Sequence, residues 1–216
     1  MIAGYDFGIG GKTSSTDKLN YSTEAVSSTS INVGTVNYAN AVSNSGTAGY
    51  VMGAYSDGGS VTTIYKIAFS GDTVSTPGAT LSVSREWGGP FANSGTAGYV
   101  AGGSMGGGRT STDKLTFSSD TRSTIASSMG NAIYQQTAFA NSGTAGYNVG
   151  GNNGGSPTSA LTSIHKLTFS NDTWTTYVAT LSTQLDQGPG GFANSGTAGY
   201  VGGGKDRKST RLNSSY

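Results

Sequence analysis

The octet Ala-Asn-Ser-Gly-Thr-Ala-Gly-Tyr fills residues 92–99, 140–147 and 193–200, and Asn44 to Tyr50 repeat it without the first letter. A second motif keeps the same beat: TDKLNY at 16–21, IYKIAF at 64–69, TDKLTF at 112–117 and IHKLTF at 164–169. Its lysines, Lys18, Lys66, Lys114 and Lys166, stand 48, 48 and 52 residues apart. Two motifs that hold one period define a repeat protein. Each unit is then one supersecondary element that buries its faces against copies of itself.

Within a unit the pattern is that of short strands. Leu115 and Phe117 lie two apart with Thr116 between them, the alternation of a strand with one buried face. Ser-x-Asp-Thr follows at Ser70, Ser118 and Ser170, a composition whose side chains bond their own backbone in turns. The residue between Ser and Asp is Gly71 or Asn171 in two units and is expected to take the positive φ. The octet reads as a second hairpin, with Phe91–Asn93 before the turn, Gly95 in it and Ala97–Gly103 after it. Its small Ala97 and Gly98 permit close approach to a neighbour. No helical period with caps is present.

These signals predict four antiparallel strands per unit and an all-β chain. Sheets so poor in apolar residues gain most by leaning on one another around an axis, so the expected fold is a β-propeller of four-stranded antiparallel blades. About four blades are present, and the ring is incomplete. The expected bounds are a partial blade at 2–29, blades at about 39–77, 91–125 and 139–178, and a partial blade at 192–204. The tail, 205–216, breaks the pattern. Residues 206–215 resemble the translation of a sequencing-library adaptor, and the tail is expected to be non-native or disordered, with the chain a fragment of a longer array.

Tyr-x-x-Gly-Gly, as in Tyr99 to Gly103 and Tyr147 to Gly151, resembles the kelch repeat, with Trp174 where such repeats often carry Trp. The resemblance spans nearly the whole chain but is degenerate: Val74 and Arg122 replace the Trp in other units, and Gly53-Ala54 replaces one Gly-Gly. It implies a kelch-like propeller. Ser170 to Trp174 also resembles the Asp box of sialidase propellers, without the glycine that box expects.

Composition removes several classes of function. The net charge is +1, which suits neither a nucleic-acid surface nor a disordered chain. No apolar run reaches the length of a membrane-spanning helix. With no Cys and one His, thiolate chemistry is excluded and a catalytic base is scarce. His165 reads as a histidine at a blade edge. The four motif lysines are expected to lay their stems along the sheets and keep their charges in water.

Turns on one side of the units are short and nearly invariant, whereas the loops on the other side differ. That layout, a rigid scaffold carrying variable loops, is that of a recognition surface. The candidate ligand-binding residues are Tyr55, Asp57, Arg109, Asn152 and Asn153 in loops between second and third strands, and Arg85, Trp87, Tyr134, Gln135 and Asp186 in loops between units. Catalytic residues, metal ligands and cofactors are expected to be absent. The leading expectation is a non-catalytic binding or structural module of the phage tail-fibre or cell-surface adhesin type, extracellular or on a virion, whose variable loops meet a protein or glycan. The alternatives are a sialidase-like, carbohydrate-active propeller enzyme and an intracellular kelch adaptor.

Overall fold

A computed structural model describes residues 14–103, 107–154, 160–185, 187–194 and 196–204, together with the backbone of 5–6 and 11–12. The tail 205–216 lies outside the described residues, as does Asp186. The described chain is all-β and contains no helix. Two short pairs open it: β1 (Tyr5–Asp6) with β2 (Gly11–Lys12), and β3 (Asp17–Leu19) with β4 (Val26–Ser28).

Three four-stranded antiparallel sheets follow, each in simple sequence order. The second sequence unit forms β5 (Ala41–Asn44), β6 (Ala48–Ser56), β7 (Gly59–Ala68) and β8 (Thr73–Ser75). The third forms β9 (Gly89–Asn93), β10 (Ala97–Ala101), β11 (Thr112–Thr116) and β12 (Thr121–Thr124). The fourth forms β13 (Thr137–Asn141), β14 (Ala145–Val149), β15 (Ile164–Thr168) and β16 (Thr173–Thr176). A last pair, β17 (Gly190–Asn194) and β18 (Ala198–Gly202), ends the described chain.

The octet folds as a hairpin because its second to fifth residues, Asn93 to Thr96 in the third unit, close a turn. The Thr96 amide donates to the Asn93 carbonyl at 2.9 Å, and Gly95 takes a φ of 78° that a β-carbon would strain. The Ser-x-Asp-Thr turn differs in one respect from expectation. The left-handed residue is the aspartate, with φ of 49°, 52° and 51° at Asp72, Asp120 and Asp172. Aspartate tolerates this region better than most residues, and the carboxylate is thereby aimed at the preceding sheet.

The cores lie between sheets. Val42, Tyr50, Met52 and Ile64 of one sheet meet Val100, Leu115 and Phe117 of the next. Phe91 and Tyr99 then meet Leu167, Phe169 and Trp174. The rings of Phe91, Tyr99 and Phe169 stack, with Tyr99 5.3 Å from each of the other two, and Trp174 meets Phe91 edge-on at 6.0 Å. First strands pack on first strands, β5 on β9, β9 on β13 and β13 on β17.

Polar contacts repeat across the same seams. Lys18 pairs with Asp72 at 2.7 Å, Lys66 with Asp120 at 2.6 Å and Lys114 with Asp172 at 2.7 Å. Tyr50 donates to Asp120 at 2.7 Å and Tyr99 to Asp172 at 3.1 Å. Three of the four motif lysines therefore meet the turn aspartate of the following unit; Lys66 and Lys114 do so half-buried, away from the expected solvent, whereas Lys18 stays exposed. The hydrogen bond that Lys66 donates to Asp120 raises the Lys66 pKa, and desolvation, followed by the same carboxylate, raises that of Tyr50. The octet contributes a further link. Asn44, Asn93 and Asn141 each accept the amide of the next unit's turn glycine, Gly95, Gly143 and Gly196, at 3.1, 2.9 and 2.9 Å.

The octet's second glycine is where the neighbouring sheet enters. A β-carbon on Gly98 would meet Val42 Cγ2 at 2.6 Å, and on Gly146 and Gly199 it would collide with the rings of Phe91 and Phe139. Gly146→Ala is therefore expected to destabilise the protein by about 1–3 kcal/mol through overpacking. A lowered urea midpoint with unchanged strand content by circular dichroism is the expected result.

Candidate functional site

The loops joining successive units share a backbone feature that their sequences hide. Tyr38, Trp87, Gln135 and Gln187 occupy one repeat position and all lie in the left-handed region, with φ of 51°, 56°, 57° and 56°. For non-glycine residues this conformation is costly, and it persists only where neighbours enforce it. Here the neighbours form a hydrogen-bonded chain across units. The Trp87 amide donates to the Tyr38 carbonyl at 3.3 Å, Gln135 to Trp87 at 2.9 Å, and Gly188 to Gln135 at 3.4 Å. The bonds hold these side chains side by side.

Beside this chain opens a cavity of about 530 Å³. Tyr55, Trp87, Tyr134, Gln135 and Asn153, all expected from the sequence as ligand residues, line it. Tyr38 and Glu86 join them. The Tyr38 and Trp87 ring centroids are 4.2 Å apart with their planes tilted by 44°, and the Tyr55 ring lies 6.5 Å from Tyr38. Tyr55 is carried by the β6–β7 hairpin, which is longer than its counterparts and bends at a bulge around Gly53. The lining is thus aromatic and amide-rich, and Glu86 is the single charged side chain among its described members.

The remaining expected residues lie elsewhere. Asp57 is exposed at the tip of the β6–β7 hairpin. Arg109 is half-buried and its backbone bridges to Ile133. Asn152 is buried, and its side chain accepts the Gly154 amide at 2.8 Å, which fixes the loop carrying Asn153. Arg85 is not a surface residue at all.

Arg85 and Asp113 are both fully buried and meet at 3.2 Å. The guanidinium also donates to the Gly102 and Ser111 carbonyls at 2.8 and 2.9 Å. Asp113 accepts from the Ser82 amide at 3.0 Å and from Thr124 Oγ1 at 2.9 Å. Burial lowers the Arg85 pKa from its ordinary value and the facing Asp113 counters it, and a guanidinium keeps its charge. Repeat alignment carries the signal for this: Val36 and Ile133, the equivalents of Arg85, are both buried. Arginine replaces an apolar residue there because Asp113 faces it. Arg85, Arg109 and Arg122 do not converge on the cavity, and Arg122 instead donates to the Thr80 carbonyl at 2.8 Å.

His165, the repeat equivalent of Asp113, is likewise interior rather than at an edge. Its Nδ1 lies 3.0 Å from Thr176 Oγ1, and burial lowers its pKa, which keeps the imidazole neutral. Among the described residues no group of three or more His, Cys, Asp or Glu could hold a metal ion. No helix among them is long and apolar enough to cross a membrane. Tyr38 escaped the sequence reading because its neighbours look like an ordinary loop, although its alignment with Trp87 would have found it.

The chain matches no protein-family profile and no curated protein.

Truncating Arg85 and truncating Trp87 are expected to separate scaffold from site. Arg85→Ala leaves Asp113 buried without its partner and is expected to cost about 3–5 kcal/mol in urea unfolding. Trp87→Ala, on the half-buried cavity wall, is expected to change the midpoint far less.

Proposed function

We propose that the sheets are successive blades of a kelch-like β-propeller and that the protein is a non-catalytic recognition module of the adhesin or tail-fibre type, which binds a neutral saccharide in the Tyr38–Trp87 cavity. The observation that carries this reading is the convergence of Tyr38, Tyr55, Trp87 and Tyr134 with Gln135 and Asn153 on one concavity. A sugar has C–H faces that pack on aromatic rings and hydroxyls that need amide partners, and this wall offers both. Tyr and Trp also provide contact area at low conformational-entropy cost.

Lining charge narrows the ligand class. With Glu86 as the single charged member among the described residues, the cavity favours neutral ligands over anionic ones. Sialic acids and phosphates call for arginine or lysine, as carboxylate and phosphate recognition does generally. The propeller reading rests on the sequential four-stranded sheets and on their first-strand contacts. Exposure on a cell or virion surface suits such a module and is part of the proposal.

A glycan array probed with the full chain is expected to give signals for neutral saccharides. Trp87→Ala is expected to weaken the best of these by about 10–100-fold, the effect of losing an aromatic anchor, with the bound glycan recovered unchanged. Absence of any signal, or equal binding by Trp87→Ala, contradicts the reading.

A further inference from the structure

His165 is the chain's single histidine and is fully buried, yet the recognition role leaves it unused. Its ring lies in the seam between the third and fourth sheets. Nδ1 is 3.0 Å from Thr176 Oγ1 on β16, and Nε2 is buried with no hydrogen-bond partner among the described residues. Asn148 stands opposite it on β14, and its Oδ1 is likewise buried without a partner among them. From the third unit, the segment that joins β12 to β13 closes over the ring. A β-carbon on Gly130 would lie 3.6 Å from His165 Cε1 and 2.9 Å from Thr176 Oγ1. Gly130 is itself exposed, so this cover is thin.

A proton on this ring finds no compensation. Both nitrogens of an imidazolium donate, so whichever tautomer precedes it, Nε2–H meets no acceptor. Asn148, Thr176 and Gly130 are neutral, as is Met129, whose Sδ accepts from Asn148 Nδ2 at 3.3 Å. Residues 125–136 include no charged side chain, and their one titratable group is the Tyr134 phenol, which lines the cavity. Lys166, next in sequence, lies on the opposite face of β15. The seam's charged groups, Lys114 and Asp172, pair with each other at the turn end of that strand. The neighbouring seam makes the contrast. There Asp113, at the equivalent position, is buried against Arg85, so charge meets charge. Here Ile133 takes the place of Arg85. Burial lowers the His165 pKa, and no charge opposes it.

The covering segment also carries part of the cavity wall. It is pinned by the Met129 amide, which donates to the Thr110 carbonyl at 3.0 Å, and by Ser127 Oγ, which accepts the Trp174 amide at 2.9 Å across the seam. Tyr134 and Gln135 follow Gly130 closely and line the Tyr38–Trp87 cavity, and the Gln135 amide reaches the Trp87 carbonyl across the same seam. The wall is therefore divided. Tyr38, Tyr55 and Trp87 stand on one side, and Tyr134, Gln135 and Asn153 on the other.

We infer that His165 is a proton-sensitive latch on the candidate site, an inference that rests on the recognition reading for its ligand. When the ring takes up a proton, the covering segment lifts from β15 and β16 to let it reach water. Tyr134 and Gln135 then part from Trp87, and a bound saccharide is released. Linkage sets the direction. A histidine in water titrates near pH 6.5. Held lower in the closed form, it binds a proton more readily once the segment opens. The closed form is thus fully favoured above about pH 6.5 and loses up to about tenfold per pH unit below it. Carboxylates titrate roughly two units lower, so the interval just below neutrality isolates this one group.

Amide hydrogen exchange of the full chain without glycan, read by mass spectrometry at about pH 7 and about pH 5.5 and corrected for the intrinsic pH dependence of exchange, tests this. Protection in 125–136 and 164–177 is expected to fall about tenfold while that of β5–β8 holds. His165→Gln, neutral at both pH values, should show no such fall. In the parent chain the His165 Cε1 proton should titrate below about pH 6.5 by NMR, whatever the folding of the variant. Protection that is unchanged by acid, a titration at or above that value, or an equal loss in His165→Gln overturns the latch. A glycan bound by the parent should leave up to about tenfold faster at the lower pH, and no faster from His165→Gln. Release that ignores pH in the parent overturns the link to the site. A chain that binds no glycan contradicts the recognition reading instead, and hydrogen exchange then decides the latch by itself.

Discussion

A carboxylate on a left-handed turn holds this protein's sheets to one another. Asp120 is offered across the seam by the φ of its own backbone and is met there by Lys66 and Tyr50, and the geometry recurs at Asp172 with Lys114 and Tyr99. The partners are half-buried, so the charges are screened less than surface pairs and desolvated less than interior ones. Around this latch the rest falls into place. Stacked aromatic rings fill the seam, a glycine admits the neighbour's Phe91 or Phe139, and an asparagine fastens the turn of the next octet. The repeated octet is thus a contact surface on both of its sides, which constrains nearly every letter of it.

The period, the hairpins and the four strands per unit were legible in the chain, because alternation and turn residues are local signals. Partners across units were not. Lys66 and Asp120 are 54 residues apart, and no local pattern says that a lysine will find the next turn instead of water. Arg85 shows the same limit. As an arginine in a loop it resembles a surface residue, and only its alignment with the buried Val36 and Ile133 reveals an interior position. His165 misled for the same reason, since its equivalents are polar or aromatic while the site itself is closed.

The candidate site was half legible. Variable loops pointed to Tyr55, Trp87, Tyr134, Gln135 and Asn153, and these share one cavity. Tyr38 was missed, and Arg85 and Asn152 belong to the scaffold beneath. What organises the cavity is the chain of backbone hydrogen bonds from Tyr38 through Trp87 to Gln135, each residue held in a conformation it would not choose alone. Loop sequences can then differ freely while their tips stay in register. A scaffold of uniform seams with one irregular wall is well suited to a proposed recognition role, because the seams supply rigidity and the wall supplies selectivity.

The central claim is that the latch couples adjacent sheets, and a double-mutant cycle on Lys66 and Asp120 measures it most directly. Lys66→Met, Asp120→Asn and the double variant are compared in urea unfolding, with Tyr50 retained. A coupling of about 1 kcal/mol or more is predicted, as for a charged hydrogen bond with limited exposure. Strict additivity of the two single losses would contradict the account and leave the apolar seam alone as the bond between sheets.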